Sequence, residues 1–364
     1  MKKYLDYIKE NKQKAGILLF IIIIVLLTIS ICVKISITKK QNAEKYKYDK
    51  IITFKDNNFE KSIRREIKKY IGNIYESDLV GIGTLDLSES KIESIEGIQY
   101  FHSLTDLNLS KNKIIDIEPL KGLTYLKILN LSSNQIEDIT FLSNLNNLLD
   151  LDLSYNSIRN VEPLGKIDSI ICLDIARNNI SSATTLTNLK NLKILNIANN
   201  RLNKFDDLTK ITQLVNLDIS NNSIMSLKGI ENLIYINEFK ANGNGIEEID
   251  SLKSNEYLQI LELSNNNLDN LRFVEENINL QSLTVSYNDI SDLSYINRLH
   301  NLEKINIRYT NIENIELLVK LPSLNEIYVD DRLDRTPLLD MKTRFKNADT
   351  KTKEFFMDDI YNNK

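Results

Sequence analysis

The 364-residue chain contains no tryptophan, only two cysteines and two histidines, four prolines and ten glycines. Each scarcity removes a class of protein. Cys32 stands inside an apolar run and Cys172 far from it, so an intrachain disulfide framework is excluded, and cysteine usage does not mark the redox compartment. With His102 and His300 as the only histidines there is no cysteine–histidine cluster of zinc-site spacing. No glycine-rich phosphate loop occurs. A lone histidine without a positioned partner is a poor general base, and no nucleophile stands out among the many serines. No catalytic, cofactor-binding or metal-ligating set is therefore expected, and an enzyme is the most distant reading. Positive charge is outnumbered outside the N-terminus. Residues 1–50 hold eleven Lys/Arg against four Asp/Glu, so the overall charge of −4 leaves −11 on residues 51–364. An acidic body argues against nucleic acid as a partner, because affinity for phosphate backbones rests on clustered Lys and Arg.

What is present begins with one long apolar run. From Ala15 to Val33 no charged residue occurs for 19 positions, which as a helix spans roughly 29 Å, the thickness of a bilayer core. A cleavable signal peptide has a shorter apolar region ending in a small-residue cleavage site, and a lipoprotein signal at Cys32 wants a small residue where Ile31 stands. The run reads as an uncleaved transmembrane anchor. Orientation is a tie by charge: Lys2, Lys3, Lys9, Lys12 and Lys14 on one side face Lys34, Lys39, Lys40, Lys45 and Lys47 on the other. A short tail before the helix and a large domain after it favour a signal anchor with the C-terminal domain outside.

The body is periodic. The pattern leucine, any, leucine, any, any, asparagine recurs every 22 residues without insertion, as LDLSES at 85, LNLSKN at 107, LNLSSN at 129, LDLSYN at 151, LDIARN at 173 and LNIANN at 195. It continues as LDISNN at 217, FKANGN at 239, LELSNN at 261, LTVSYN at 283, INIRYT at 305 and a partial IYVDDR at 327. Alternating apolar residues such as Leu107 and Leu109 make a short strand with one buried face. The asparagines from Asn112 to Asn288 fall where the chain leaves the strand. Buried there, their amides are expected to bond the backbone of their own and adjacent coils as a ladder, with Ser90 and Thr310 replacing asparagine at the ends. Apolar residues three apart in the remainder, as in Ile114, Ile117, Leu120, Leu123 and Leu126, suit a tight 3₁₀-like segment. The coil with Ala241, Gly243 and Gly245 is expected to be the loosest.

Both ends need lids. Asn57 and Glu60 are placed to form a capping box, and Phe59, Ile63, Ile67 and Ile71 repeat every four residues along an amphipathic helix. The organisation read from the chain is a basic tail at 1–14, the anchor at 15–33, a polar stalk at 34–50, a helical N-terminal cap at 51–80, about twelve repeats at 81–332, and a C-terminal cap and tail at 333–364.

These residues define the expected fold class: an α/β leucine-rich-repeat solenoid with a curved parallel sheet, convex 3₁₀ segments and an N-terminal transmembrane helix. The 22-residue period, together with ITFKDNNFEKSIRREI running through YESDLVGIGTLDLSES, resembles the internalin-like leucine-rich repeats of Gram-positive bacterial surfaces. The resemblance spans residues 51 to about 332 and implies an extracellular binding domain using its concave strand face. It departs from that family in having neither an LPxTG motif nor an immunoglobulin-like domain after the repeats, so the N-terminal helix takes the anchoring role. The same period also resembles intracellular phosphatase-binding repeat proteins, whose cap and membrane state differ.

Outward strand positions run Asp86, Asn108, Asn130, Asp152, Asp174, Asn196, Asp218, Lys240, Glu262, Thr284, Asn306 and Tyr328. The acidic and amide stretch reads either as a site for a cation or basic ligand or, more plainly, as a solvated face. The sharper candidate ligand-binding set is Tyr287 and Tyr309 in one slot of consecutive coils, Arg308 beside them, Tyr328 one coil on, and Tyr155 as an upstream counterpart. Against it stands the reading that these tyrosines only shield coil edges near the cap. Two functions follow. One is a membrane-anchored, cell-surface adhesion or recognition module for a protein or surface ligand; the other is a cytoplasm-facing, membrane-tethered scaffold or regulatory subunit.

Overall fold

Alternation of buried and outward side chains sets each strand, and the 22-residue spacing sets where the next one pairs. The computed structural model describes residues 49–247, 249–334 and 336–339, with Ser30, Val33 and Lys34. The proposed anchor at 15–33, Ser30 and Val33 apart, therefore lies outside the described residues, as do most of the stalk and the tail beyond 339. Among the described residues no helix is long and apolar enough to cross a membrane.

The described residues form two compact units. In the smaller, strand β1 (Ile51–Ile52) pairs antiparallel with β2 (Ile74–Tyr75), Ile52 opposite Ile74. A 3₁₀ turn at Glu76–Asp78 follows, and the Tyr75 amide donates to the Asp78 carboxylate at 2.8 Å.

The larger unit holds helix α1 (Asn57–Glu66) and all the repeats. Its sheet has twelve parallel strands in sequence order, β3 (Thr84–Asp86) through β14 (Glu326–Tyr328), one for each coil, here counted 1 to 12. The register is strict: Leu85 pairs with Leu107, Leu107 with Leu129, and so on to Ile305 with Ile327. Each strand is three residues long, and the return segment of most coils contains a 3₁₀ turn, as at Glu118–Leu120 and Thr140–Asn144. Seven apolar side chains fill a typical coil; in the second these are Leu107, Leu109, Ile114, Ile117, Leu120, Leu123 and Leu126, all buried.

The asparagine ladder forms as the sequence requires. Asn112 Nδ2 donates to the carbonyls of Leu109 in its own coil and Leu87 in the preceding one, both at 2.9 Å. Its Oδ1 accepts from the amides of Ser90 and Ile92 at 3.0 Å. The donor bonds recur up to Asn288, which reaches Leu263 and Val285 at 2.9 and 3.0 Å. At the last rung Thr310 Oγ1 donates only within its coil, to Ile307 O at 2.8 Å, and Arg332 donates to Thr310 O.

The N-terminal lid differs from the sequence expectation in two respects. The helix is capped by Asp56, not Asn57: Asp56 Oδ1 accepts from the amides of Asn58 and Phe59 at 2.7 and 3.0 Å. Glu60 turns along the helix to bind Arg64 at 2.8 Å instead of closing a capping box. The helix also ends at Glu66, so Phe59 and Ile63 are buried while Ile71, beyond its end, is exposed.

The coil with Ala241 is filled from the neighbouring slot. Phe239 takes the strand position that is leucine in most coils, is fully buried, and packs against Phe205 with ring centroids 6.3 Å apart. Gly243 has φ +62°, and a Cβ there would stand 2.3 Å from Asn221 Oδ1, so a side chain at 243 would need the Asn221 amide to move aside. Past the last strand a short helix at Thr336–Leu339 buries Leu338.

Candidate functional site

The outward strand column is explained mainly by structure. Asp86, Asn108, Asn130, Asp152, Asp174, Asn196, Asp218 and Asn306 each accept, through Oδ1, the amide two residues on, at 2.9 to 3.2 Å. A carboxylate or amide at this position closes an Asx turn that takes the chain off the strand. That accounts for the run of acidic and amide residues without a ligand. Lys240 interrupts it and is held by Glu238 at 2.6 Å and Glu262 at 3.7 Å, ion pairs that raise its ammonium's pKa. Among the described residues no group of three or more His, Cys, Asp or Glu is arranged to hold a metal ion.

Three residues beyond each outward position, just before the ladder asparagine, the backbone enters the left-handed region in coils 1 to 11, with φ between +52° and +62°. The turn imposes this conformation, which asparagine and glycine adopt most cheaply. Asn199, Asn221, Gly243 and Asn265 meet the demand; Tyr155, Tyr287 and Tyr309 occupy the same slot at φ +56°, +55° and +56°. A bulky side chain there costs about 1 kcal/mol or more in backbone strain. Nothing in the core needs those rings, since they are 53%, 54% and 59% exposed.

The structure sorts the sequence-derived site residues into three places. Tyr287 and Tyr309 stack, with ring centroids 4.3 Å apart and planes at 21°. They lie on the rim past the ends of β12 (Ser282–Thr284) and β13 (Lys304–Asn306), not on the strand face itself. Partial desolvation, then the hydrogen bond with Tyr309, raise the Tyr287 phenol's pKa, with Asp330 adding to the effect and Arg308 opposing it. The equivalent amides of earlier coils donate to the backbone carbonyl 21 residues on, but the Tyr309 amide donates to both side-chain oxygens of Asp330 at 2.9 and 3.0 Å. That carboxylate ends the ladder and fixes the pair.

Tyr328 is on the strand face. Its ring lies under the Arg308 guanidinium at 5.4 Å and the Lys304 ammonium at 5.2 Å, and its hydroxyl donates to Glu326. Arg308 reaches the ring from a slot that is serine or alanine in most coils, and Lys304 is paired with Glu326 at 3.0 Å. Tyr155 stands six coils before Tyr287, about 29 Å away at ~4.8 Å per strand. It packs instead against Arg177, whose guanidinium is 4.9 Å from the ring. Sequence reasoning missed Lys304, Glu326 and Asp330; the 22-residue alignment that singled out Tyr328 places Glu326 and Asp330 two residues either side of it and Lys304 opposite Glu326 on the adjacent strand.

Short parallel strands, an asparagine ladder and 3₁₀ returns define a leucine-rich-repeat solenoid. A family model described as leucine-rich repeats (2 copies) matches residues 102–146. Among solved structures the chain is similar to an internalin (inlF) from Listeria monocytogenes, at 26% identity and a TM-score of 0.69, covering 78% of this chain and 92% of that one. It is also similar to the functional domain of InlJ from Listeria monocytogenes, at 24% identity and a TM-score of 0.69, over 78% of this chain and 62% of that one. A leucine-rich-repeat protein of Leptospira interrogans shares the fold at 21% identity, with a TM-score of 0.67 over 75% of this chain and 72% of that one. No curated protein matches the sequence.

Proposed function

We propose that the repeats are a protein-binding recognition module displayed outside a membrane, with residues 15–33 as its anchor, 34–50 as its stalk, and a ligand surface of Tyr287, Arg308, Tyr309 and Tyr328. Tyr155 is an accessory contact upstream. The observation that carries this reading is the exposed Tyr287–Tyr309 stack in a left-handed slot where asparagine or glycine serves other coils at lower cost. Large rigid aromatic area beside an arginine is the usual make-up of an interface anchor. Similarity to an internalin along most of that protein's length supports recognition as the role and an extracellular location. The acidic body is consistent with a protein partner and not with nucleic acid.

The test is the affinity of the full-length chain for whatever it crosslinks to on intact cells, compared with Tyr309→Ala and Tyr309→Asn. Both substitutions should weaken binding by about 2 kcal/mol, roughly thirtyfold. Stability should stay within about 1 kcal/mol, because the lost ring stack and the relieved left-handed strain oppose each other. Unchanged affinity with a clear loss of stability would assign the tyrosines to shielding coil edges.

A further inference from the structure

A second surface lies on the strand face of coils 3 to 6, where the outward positions depart from the polar residues found in most other coils. Ile128 and Ile194 project from β5 (Ile128–Asn130) and β8 (Ile194–Asn196) and are 46% and 44% exposed. Leu149 and Ile171, one residue before the strands between them, are exposed as well. The same position is polar at Thr84, Asp106, Asn216, Glu238, Ser282, Lys304 and Glu326, with the half-buried Ile260 of coil 9 the exception, so the repeat does not require an aliphatic here. Register places Asp150 between them: Ile128 pairs with Asp150, Asp150 with Cys172, and Cys172 with Ile194.

Asp150 is the anomaly. Its carboxylate makes no hydrogen bond or ion pair with a described residue, unlike its neighbours Asp152, tied to Ser154, and Asp174, tied to Ala176 and Asn196. Asp150 is itself exposed; partial burial of its carboxylate, then the like charge of Asp152, raises its pKa, and Asp174 is raised chiefly by burial. An exposed, unpaired carboxylate between exposed aliphatic side chains suits a cation whose own flanks cover the apolar surface. Three strand spacings of ~4.8 Å make the patch about 14 Å across, the reach of four or five extended residues.

We propose that this patch is a separate docking surface for a short segment of a partner protein that carries arginine or lysine between aliphatic side chains, the cation on Asp150 and the flanks on Ile128 and Ile194. It rests on the reading of the repeats as a binding module but not on the tyrosine cluster.

The test measures binding of the full-length chain to immobilised synthetic peptides of equal length in which leucine alternates with arginine, serine or glutamate. The leucine–arginine peptide should bind at least about tenfold tighter than the other two. Asp150→Asn should erase that preference, the pair Ile128→Ser and Ile194→Ser should abolish binding, and Asp150→Lys should turn the preference to the leucine–glutamate peptide. This last, a gain of binding, shows the charge at work in a folded chain. Tyr309→Ala should leave peptide binding unchanged, so failure here is distinguishable from failure of the tyrosine interface. Equal binding of the arginine and serine peptides would overturn the proposal. So would indifference to both Asp150 variants, or a wild-type dimer in sedimentation that Ile128→Ser and Ile194→Ser dissociate, which would make the occupant a second copy of the chain.

Discussion

Single side chains settle where the solenoid starts and how well it is filled. Asp56 accepts four amides: those of Asn58 and Phe59 on α1, and those of Glu93 and Ser94 in the first coil at 2.6 and 3.1 Å. Burial pushes its pKa up, but the four donors together outweigh this and hold it below 3.8. Its contribution is therefore complete above the unfolded aspartate value of about 3.9 and is lost as pH falls through the folded value. Asp56→Asn should lower the denaturation midpoint at neutral pH, and the gap from wild type should close in acid; Asp56→Ala should cost about 2 kcal/mol. Asn255 and Asn277 present the opposite case. Both are fully buried in a slot that is leucine or isoleucine from Leu123 to Leu233 and again at Leu299, and among the described residues the Oδ1 of each has no hydrogen-bond partner. Their Nδ2 groups bond carbonyls of the preceding coil, such as Leu233 at 3.0 Å and Asn255 at 3.1 Å, but the leucine coils manage without such bonds. Asn255→Leu and Asn277→Leu should each stabilise the fold by about 1 kcal/mol in equilibrium denaturation; a loss would show that the amides bond something further.

At the scale of elements, the repeat was legible because its period, its apolar spacing and its asparagine all follow from one physical need, to stack coils without orphaning backbone groups. Strand order and register followed from the spacing alone. The lid was less legible. Asp56 and Asn57 are both good N-caps, and only the position of the first coil's amides decides between them. Ile71 fits the four-residue apolar period, yet the helix has already ended. The coil at 241 shows compensation between slots, which a position-by-position reading does not see: Phe239 fills what Ala241 leaves. Phe239→Leu restores the usual strand residue but should destabilise by about 1 to 3 kcal/mol, because the cavity beside Ala241 then opens. If denaturation midpoints do not move, the neighbouring coils have closed on the space.

At the scale of the whole molecule, the repeats offer a tyrosine–arginine cluster on the rim and face of coils 10 to 12 and an aliphatic–acidic patch on the strand face of coils 3 to 6. The first was visible in the sequence because aromatic residues stand out in a repeat without tryptophan. The second was not, because Ile128 and Ile194 read as ordinary apolar residues until the register shows them facing solvent. Charge divides the chain into a basic N-terminal segment and an acidic body, yet lysines flank the apolar run on both sides, so charge alone does not orient it. The most direct test of an outward-facing recognition module is protease treatment of intact producing cells, followed by a blot for residues 51–364. The expected result is loss of the repeat domain while a cytoplasmic marker survives; protection of the domain until the cells are lysed would contradict it and direct the search to a cytoplasmic partner.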